Sequence, residues 1–224
     1  MRKCHTKPVL PDLEGLSMLV AVETSDLVGS TQLSPAQVSD VLARLKNEFS
    51  DISKAGQGRA EFYRGDGFQV MYTEPSAAVK YVIMTKLVLR FSLPAAVDVT
   101  QSLAVGELDS FDGPLSEKMA EVFVQSGRQL DSQTKGEIAM HPSLLNKDFL
   151  LATRFVNRVI AQLTNKQAET LYWYIKMDYP EQQQVADKLN MTRQNANTHL
   201  QRANTDLVRA YIDRFAAIIK EHIE

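Results

Sequence analysis

The chain has 224 residues, a formal net charge of −2, 44% apolar residues and 23% charged ones. That balance excludes a disordered, collagen-like or low-complexity protein, and the length suits one large domain or two small ones. No apolar run reaches the roughly 18 residues of a membrane helix, the start MRKCHTKPVLPD lacks the apolar stretch of a signal peptide, and the single Cys4 has no disulfide partner. A cytoplasmic protein with no membrane contact is the expectation.

In chain order, LSMLVAVET (16–24) has the short, nearly continuous apolar pattern of a buried strand, with a turn expected at SDLVGST. Ser34-Pro35 supplies an N-cap and a first-turn proline for a helix whose apolar stripe is Val38, Val41, Leu42, Leu45 and Phe49. Two strands joined at Gly65-Asp66-Gly67 follow, because glycine accepts the positive φ of a tight hairpin. Pro75 opens a second helix with Ala78, Val82, Met84, Thr85, Val88 and Leu89 toward the core. A strand over 95–107, a helix over 116–130 and a short strand GEIAMH complete a β-α-β-β-α-β-α-β series. Such a series predicts a mixed sheet covered by helices.

Beyond Asp148 the sequence has no strand pattern. Thr164 caps a helix through Ile175, Met177-Asp178-Tyr179-Pro180 breaks it, EQQQVADKLN forms a short helix, Met191-Thr192 turns, and one or two long helices end the chain. The residues Tyr172, Trp173, Tyr174 and Tyr179 read as core and turn packing. The segment 181–203 has the layout of a helix-turn-helix, with Val185, Ala186, Leu189, Met191, Ala196 and Leu200 inward. Its second helix offers Arg193, Gln194, Asn195, Asn197, Thr198, Gln201 and Arg202, side chains able to bond base edges and phosphates, and Thr192 as a cap near a phosphate. Residues 151–224 carry 10 basic and 8 acidic groups, against 15 and 19 in residues 1–150, so the charge is compatible with DNA binding without demanding it. The same polar face also suits a solvated helical hairpin.

The acidic pair that stands out is Asp26, after the first strand, and Asp66, at the hairpin tip. If their strands pair, both carboxylates emerge at one end of the sheet beside the amides of Gly29-Ser30-Thr31, a site for one or two divalent cations bridged by nucleotide phosphates. Arg64 stands beside them, as a phosphate contact or a solvated strand residue. Spacing alone equally allows a turn aspartate at 66 and an Asx-type cap at 26. The four histidines show no zinc spacing, and neither a Walker-type loop nor GxGxxG is present.

SDLVGST followed by YRGDGFQV resembles the paired metal signatures of class III nucleotide cyclases, which implies that Asp26 and Asp66 hold Mg or Mn. With SGRQLD (126–131) and LTNKQ (163–167) leading into the helix-turn-helix, residues 16–215 resemble the bacterial SatD-like family. The resemblance implies an α+β fold: a ferredoxin-like or cyclase-like mixed sheet with helices, then an all-α helix-turn-helix domain. The expected division is a tail at 1–15, a cyclase-like domain at 16–145 and a DNA-binding domain at 146–224. It also implies Arg128 as the residue that neutralises phosphate charge. Cyclases of this class carry a lysine three residues before the hairpin glycine and an asparagine four before the arginine. Here those positions are Phe62 and Val124.

Three functions follow as expectations. The first is a homodimeric, double-stranded-DNA-binding transcriptional regulator whose degenerate cyclase-like domain binds a divalent metal and a nucleotide or phosphate ligand. The second is a divergent metal-dependent nucleotide cyclase or nucleotidyltransferase with a helix-turn-helix accessory. The third is an adaptor whose terminal helices bind a protein.

Overall fold

The computed structural model describes residues 17–63, 65–92, 97–110 and 113–223. The first strand, β1 (Met18–Val28), does not stop at Thr24: it runs four residues further, so Asp26 lies inside the strand and not in a turn after it. It is lined on both sides by antiparallel partners, β3 (Gly67–Tyr72) and β4 (Asp98–Leu108), and those ladders hold Ser25-Asp26 in extended form, with β4 continuing to Val28. The hairpin partner of β3 is β2 (Gly58–Tyr63), and the short β5 (Ile138–Met140) runs parallel to β4. The sheet order is β2-β3-β1-β4-β5. The sheet is therefore mixed, and the whole molecule is α+β.

Both faces of β1 are covered, which explains its unbroken apolar reading. Val20 and Val22 pack with Met71, Ala104, Leu108, Val122 and Phe123 beneath α3 (Glu121–Ser132). Ala21 and Leu27, on the opposite face by strand alternation, join a larger core under α1 (Pro35–Lys54) and α2 (Ala78–Ser92). A capping box between Ser34 and Gln37, with Pro35 in the first turn, starts α1, and it buries Val41, Leu45, Phe49 and Ile52. α2 is buried on nearly every side from Ala78 to Leu89, because it lies between the sheet and the C-terminal helices. The helix expected over 116–130 is divided: a 3-10 turn at Leu115–Glu117 precedes α3.

Five helices follow: α4 (Lys147–Ala161), α5 (Asn165–Lys176), α6 (Gln182–Lys188), α7 (Arg193–Arg202) and α8 (Thr205–Ile223). Three of the four breaks between them use left-handed residues, Asp178 and Tyr179 (φ 59 and 60), Asn190 (φ 51) and Asn204 (φ 51), the last dividing the long terminal segment into two helices. Asn157 of α4 caps the edge of the sheet, its side chain accepting from Ile138 N (2.9 Å) and donating to Ile138 O (2.7 Å). Phe149 stacks on Tyr211 (4.7 Å between centroids), and Arg90 of α2 donates to the carbonyls of Ala161 and Leu163 at the end of α4. One buried apolar cluster thus runs from Ala21 and Val70 through Val82 and Leu87 to Ile160, Leu171, Phe215 and Ile219. Burial of each such side chain contributes roughly 1.5–3 kcal/mol. The expected tail at 1–15 with Cys4, the start of the fourth expected strand at Ala95 and Ala96, and Arg64 lie outside the described residues.

Candidate functional site

The register of the central strands brings the two aspartates together. Asp26 stands opposite Gly67 on β3 and Thr100 on β4, and Leu27 N donates to Asp66 O at 3.2 Å. Asp66 is the last residue of a three-residue hairpin loop whose Gly65 takes φ 84, a conformation open to glycine. Ser30 Oγ donates to Asp66 Oδ2 at 2.8 Å, which fixes the rotation of that carboxylate. Next to it, the ring of Tyr63 lies across Gly67 so closely that a Cβ there would meet it at 2.8 Å. These groups form one end of a cleft of about 680 Å³ lined by β1, β3, β4, α3 and the turns flanking α3.

The floor is a relay of polar side chains between sheet and helix. Gln69 Nε2 donates to Thr24 Oγ1 (3.1 Å), Thr24 and Ser126 hydroxyls lie 2.6 Å apart, and Ser126 donates to Phe123 O (3.1 Å). Since the Ser126 proton is committed to Phe123, Thr24 is the donor to Ser126. Sequence spacing gave no hint of this relay; the SGRQLD motif contains Ser126 but does not indicate its partner. Asp26 has its pKa raised above the ordinary 3.8, first by partial burial and then by the charge of Asp66, with Lys135 acting in the opposite direction.

Two carboxylates fall short of a cage that holds a cation alone. Among the described residues no group of three or more His, Cys, Asp or Glu is placed to hold a metal ion. The pair fits instead the donor set of Mg²⁺, which takes one or two protein carboxylates and completes its shell with phosphate and water. A bound cation would also relieve the repulsion that raises the Asp26 pKa.

The other expected residues are distributed unevenly. Gly29 (φ 78), Ser30 and Thr31 do not lead directly into a helix; they enter a three-residue 3-10 turn, and α1 begins later, at Pro35. Ser30 is the one of them that hydrogen-bonds to Asp66 through its side chain. Arg128 is exposed on α3, and while Val124, Gly127 and Asp131 line the cleft, Arg128 is not part of that lining. Phe62 packs with Phe49 (5.6 Å) and Phe68 (6.0 Å) under α1, so position 62 faces away from the cleft and Tyr63 faces it.

In the helical segment, Val185, Ala186, Ala196 and Leu200 are buried, and Leu189 and Met191 are half-buried. Thr192 Oγ1 accepts from Asn195 N at 3.2 Å and starts α7. Arg193, Gln194, Asn195, Gln201 and Arg202 are exposed. Asn197 and Thr198 are half-buried and already engaged: Asn197 accepts from Gln182 of α6 (2.8 Å), and Thr198 donates to Gln194 O (2.9 Å). Of the aromatics, Tyr172 is buried against Phe91 and Trp173, and Tyr174 packs edge-on to Tyr179, which supports their reading as packing residues.

No family profile matches the sequence, and no curated protein sequence matches it. Among solved structures, the chain is similar to the guanylyl cyclase Cya2, with 20% identity and a TM-score of 0.44, over 57% of this chain and 77% of that one. It is also similar to the adenylyl cyclase CyaB from P. aeruginosa, with 15% identity and a TM-score of 0.42, over 56% and 77% of the two chains. Among the described residues no helix is long and apolar enough to cross a membrane.

Proposed function

We propose that the protein is a DNA-binding transcriptional regulator of SatD-like type. In this reading residues 16–145 are a degenerate cyclase-like domain that binds Mg²⁺ or Mn²⁺ with a nucleotide or related phosphate ligand, and residues 146–224 contact DNA. The observation that carries it is the convergence of Asp26 and Asp66 in one cleft, with Ser30 orienting the second carboxylate. A divalent cation there would supply charge neutralisation to a bound phosphate; the chain's own side chains orient it and close the floor through Gln69, Thr24 and Ser126.

For the DNA contact, support comes from α7, whose sequence RQNANTHLQR contains no acid and exposes Arg193, Gln194, Asn195, Gln201 and Arg202. Set as the recognition helix of a helix-turn-helix, its first residues would meet base edges and Arg202 the backbone. The reading includes a cytoplasmic homodimer, whose two α7 helices would address half-sites about 34–36 Å apart.

The second reading, a divergent nucleotide cyclase or nucleotidyltransferase, is favoured by the intact acidic pair. Against it stand Val124 on the cleft wall where the family's asparagine is expected, and Arg128 outside the lining. Losing one group that stabilises transition-state charge typically costs about 2.7–4 kcal/mol. Incubation with ATP or GTP and Mn²⁺, resolved by chromatography with mass detection beside an Asp26→Ala/Asp66→Ala variant, separates the two. The regulator reading expects no product and retention of selected duplexes from a random DNA pool; a metal-dependent product absent from the variant establishes the enzyme.

A further inference from the structure

Two lysines line the cleft that holds the acidic pair. Lys118 ends a strap at 113–118 that is fastened to β2: Arg59 Nη2 donates to Gly113 O at 2.7 Å, and Glu61 accepts from Ser116 N at 3.3 Å. Lys118 itself also donates to Ser110 O at 2.8 Å. Lys135 reaches the cleft from the turn between α3 and β5. That turn is held at three points: Gln133 Nε2 donates to Gln101 O (3.0 Å), Gly136 N to Thr100 Oγ1 (3.0 Å), and Lys86 Nζ to Gly136 O (2.6 Å). Lys86 is only 3% exposed and is paired with Asp98 at 2.8 Å, so the anchor under Lys135 comes from the interior. The sheet order puts β2 and β3 on one side of β1 and β4 and β5 on the other. Lys118 and Lys135 therefore enter the cleft from its two sides, Lys135 beside Asp26 and the Lys118 ammonium held at Ser110, beyond the Leu108 end of β4.

We propose that Lys135 and Lys118, not Arg128, are the side chains that bind the anionic groups of the cleft's ligand. This rests on the reading of the Asp26–Asp66 cleft as a metal–phosphate site. The charged lining is Asp26, Asp66 and Asp131 against Lys118 and Lys135, so one divalent cation turns a net −1 into +1. Phosphate binding is then conditional on the metal, and the lysines act as point charges on flexible stems that meet phosphate oxygens from both flanks. Lys135 lines the same cleft as Asp26, and Gln133 and Gly136 on either side of it are tied to Gln101 and Thr100, the latter the partner of Asp26 on β4.

The test is calorimetric titration of the full chain with Mn²⁺·pyrophosphate, comparing wild type, Lys135→Gln, Lys118→Gln, Lys135→Arg and Asp26→Asn. Lys135 is exposed, so its variants keep the fold, which thermal melting of the unliganded proteins checks. The expected result is that each Gln variant weakens binding about tenfold or more, that Lys135→Arg stays within about threefold of wild type, and that Asp26→Asn abolishes binding. Wild-type affinity in both Gln variants, with Asp26→Asn still unable to bind, overturns this assignment and leaves the metal site standing. No binding by wild type, or full binding by Asp26→Asn, overturns the metal site and this assignment with it.

Discussion

Asp26 stands directly across from Gly67, the residue after Asp66, so the two carboxylates meet at one end of the sheet although 40 positions separate them. The electrostatic cost of that meeting is visible in Asp26, whose pKa is raised by burial and by Asp66. Asp66→Asn should bring the Asp26 pKa down toward its ordinary value, read by carbon-detected NMR of the side-chain carboxyl. An unchanged titration would mean that the two groups do not interact. The linkage sign follows: a carboxylate raised in the folded state contributes stability below its unfolded pKa and loses it as pH rises through the folded pKa. Asp26→Asn is therefore expected to raise the melting temperature of the unliganded protein at neutral pH. The gain is less than about 1 kcal/mol, because the group faces water.

Glu23 presents a sharper version of the same effect. It is fully buried on the face of β1 opposite the cleft, accepting from Tyr72 Oη (2.6 Å), Ser25 Oγ (2.8 Å) and Gln101 Nε2 (2.9 Å). Burial raises its pKa above the ordinary 4.5 more than the three donors lower it. Stability associated with Glu23 is thus present below about pH 4.5 and declines as pH rises through its folded pKa. Glu23→Gln should flatten the pH dependence of the melting temperature above that point. A pH profile parallel to wild type would show that Glu23 does not titrate in this window.

Asn157 takes the place of a sixth strand at the free edge of β5, where its one side-chain amide satisfies both Ile138 backbone groups at once. Asn157→Ala leaves a buried N–H and C=O unpaired and should cost about 2–4 kcal/mol in urea unfolding. A loss below about 0.5 kcal/mol would show that water replaces the amide.

For α7, Arg193→Ala and Arg202→Ala are each expected to weaken duplex binding and to reduce the salt slope of log K by about 0.9 for each phosphate that is no longer neutralised. Equal affinity and slope across the set would remove the DNA reading. The half-buried Asn197, bonded to Gln182, should act instead on the α6–α7 packing, so Asn197→Ala lowers the melting temperature more than the Arg substitutions do.

The order of strands and helices was legible because each boundary carries local chemistry: Ser34-Pro35, Gly65-Asp66-Gly67 and Thr164 with Gln167 act within a few residues of themselves. The acidic pair was legible too, since strand pairing alone brings 26 to 67. The end of β1 was not, because Ser25-Asp26 interrupts the apolar run and the ladders on both sides keep it extended. Glu23 gave no signal, as its partners Tyr72 and Gln101 lie 49 and 78 positions away. The lysines of the cleft depend on turns whose paths are set by remote anchors, Lys86 under one and Arg59 under the other. Arg128 gave no such warning, since 124, 128 and 131 are helical neighbours; it is exposed and is not part of the lining to which 124, 127 and 131 belong.

The measurement that bears most directly on the account is Mn²⁺ paramagnetic broadening of NMR signals from Thr24, Gly67 and Thr100, with ATP present, in wild type and in Asp26→Ala/Asp66→Ala. The account predicts broadening of all three in wild type and none in the double variant. Equal broadening in both proteins, or none in either, would contradict a metal–phosphate site between Asp26 and Asp66.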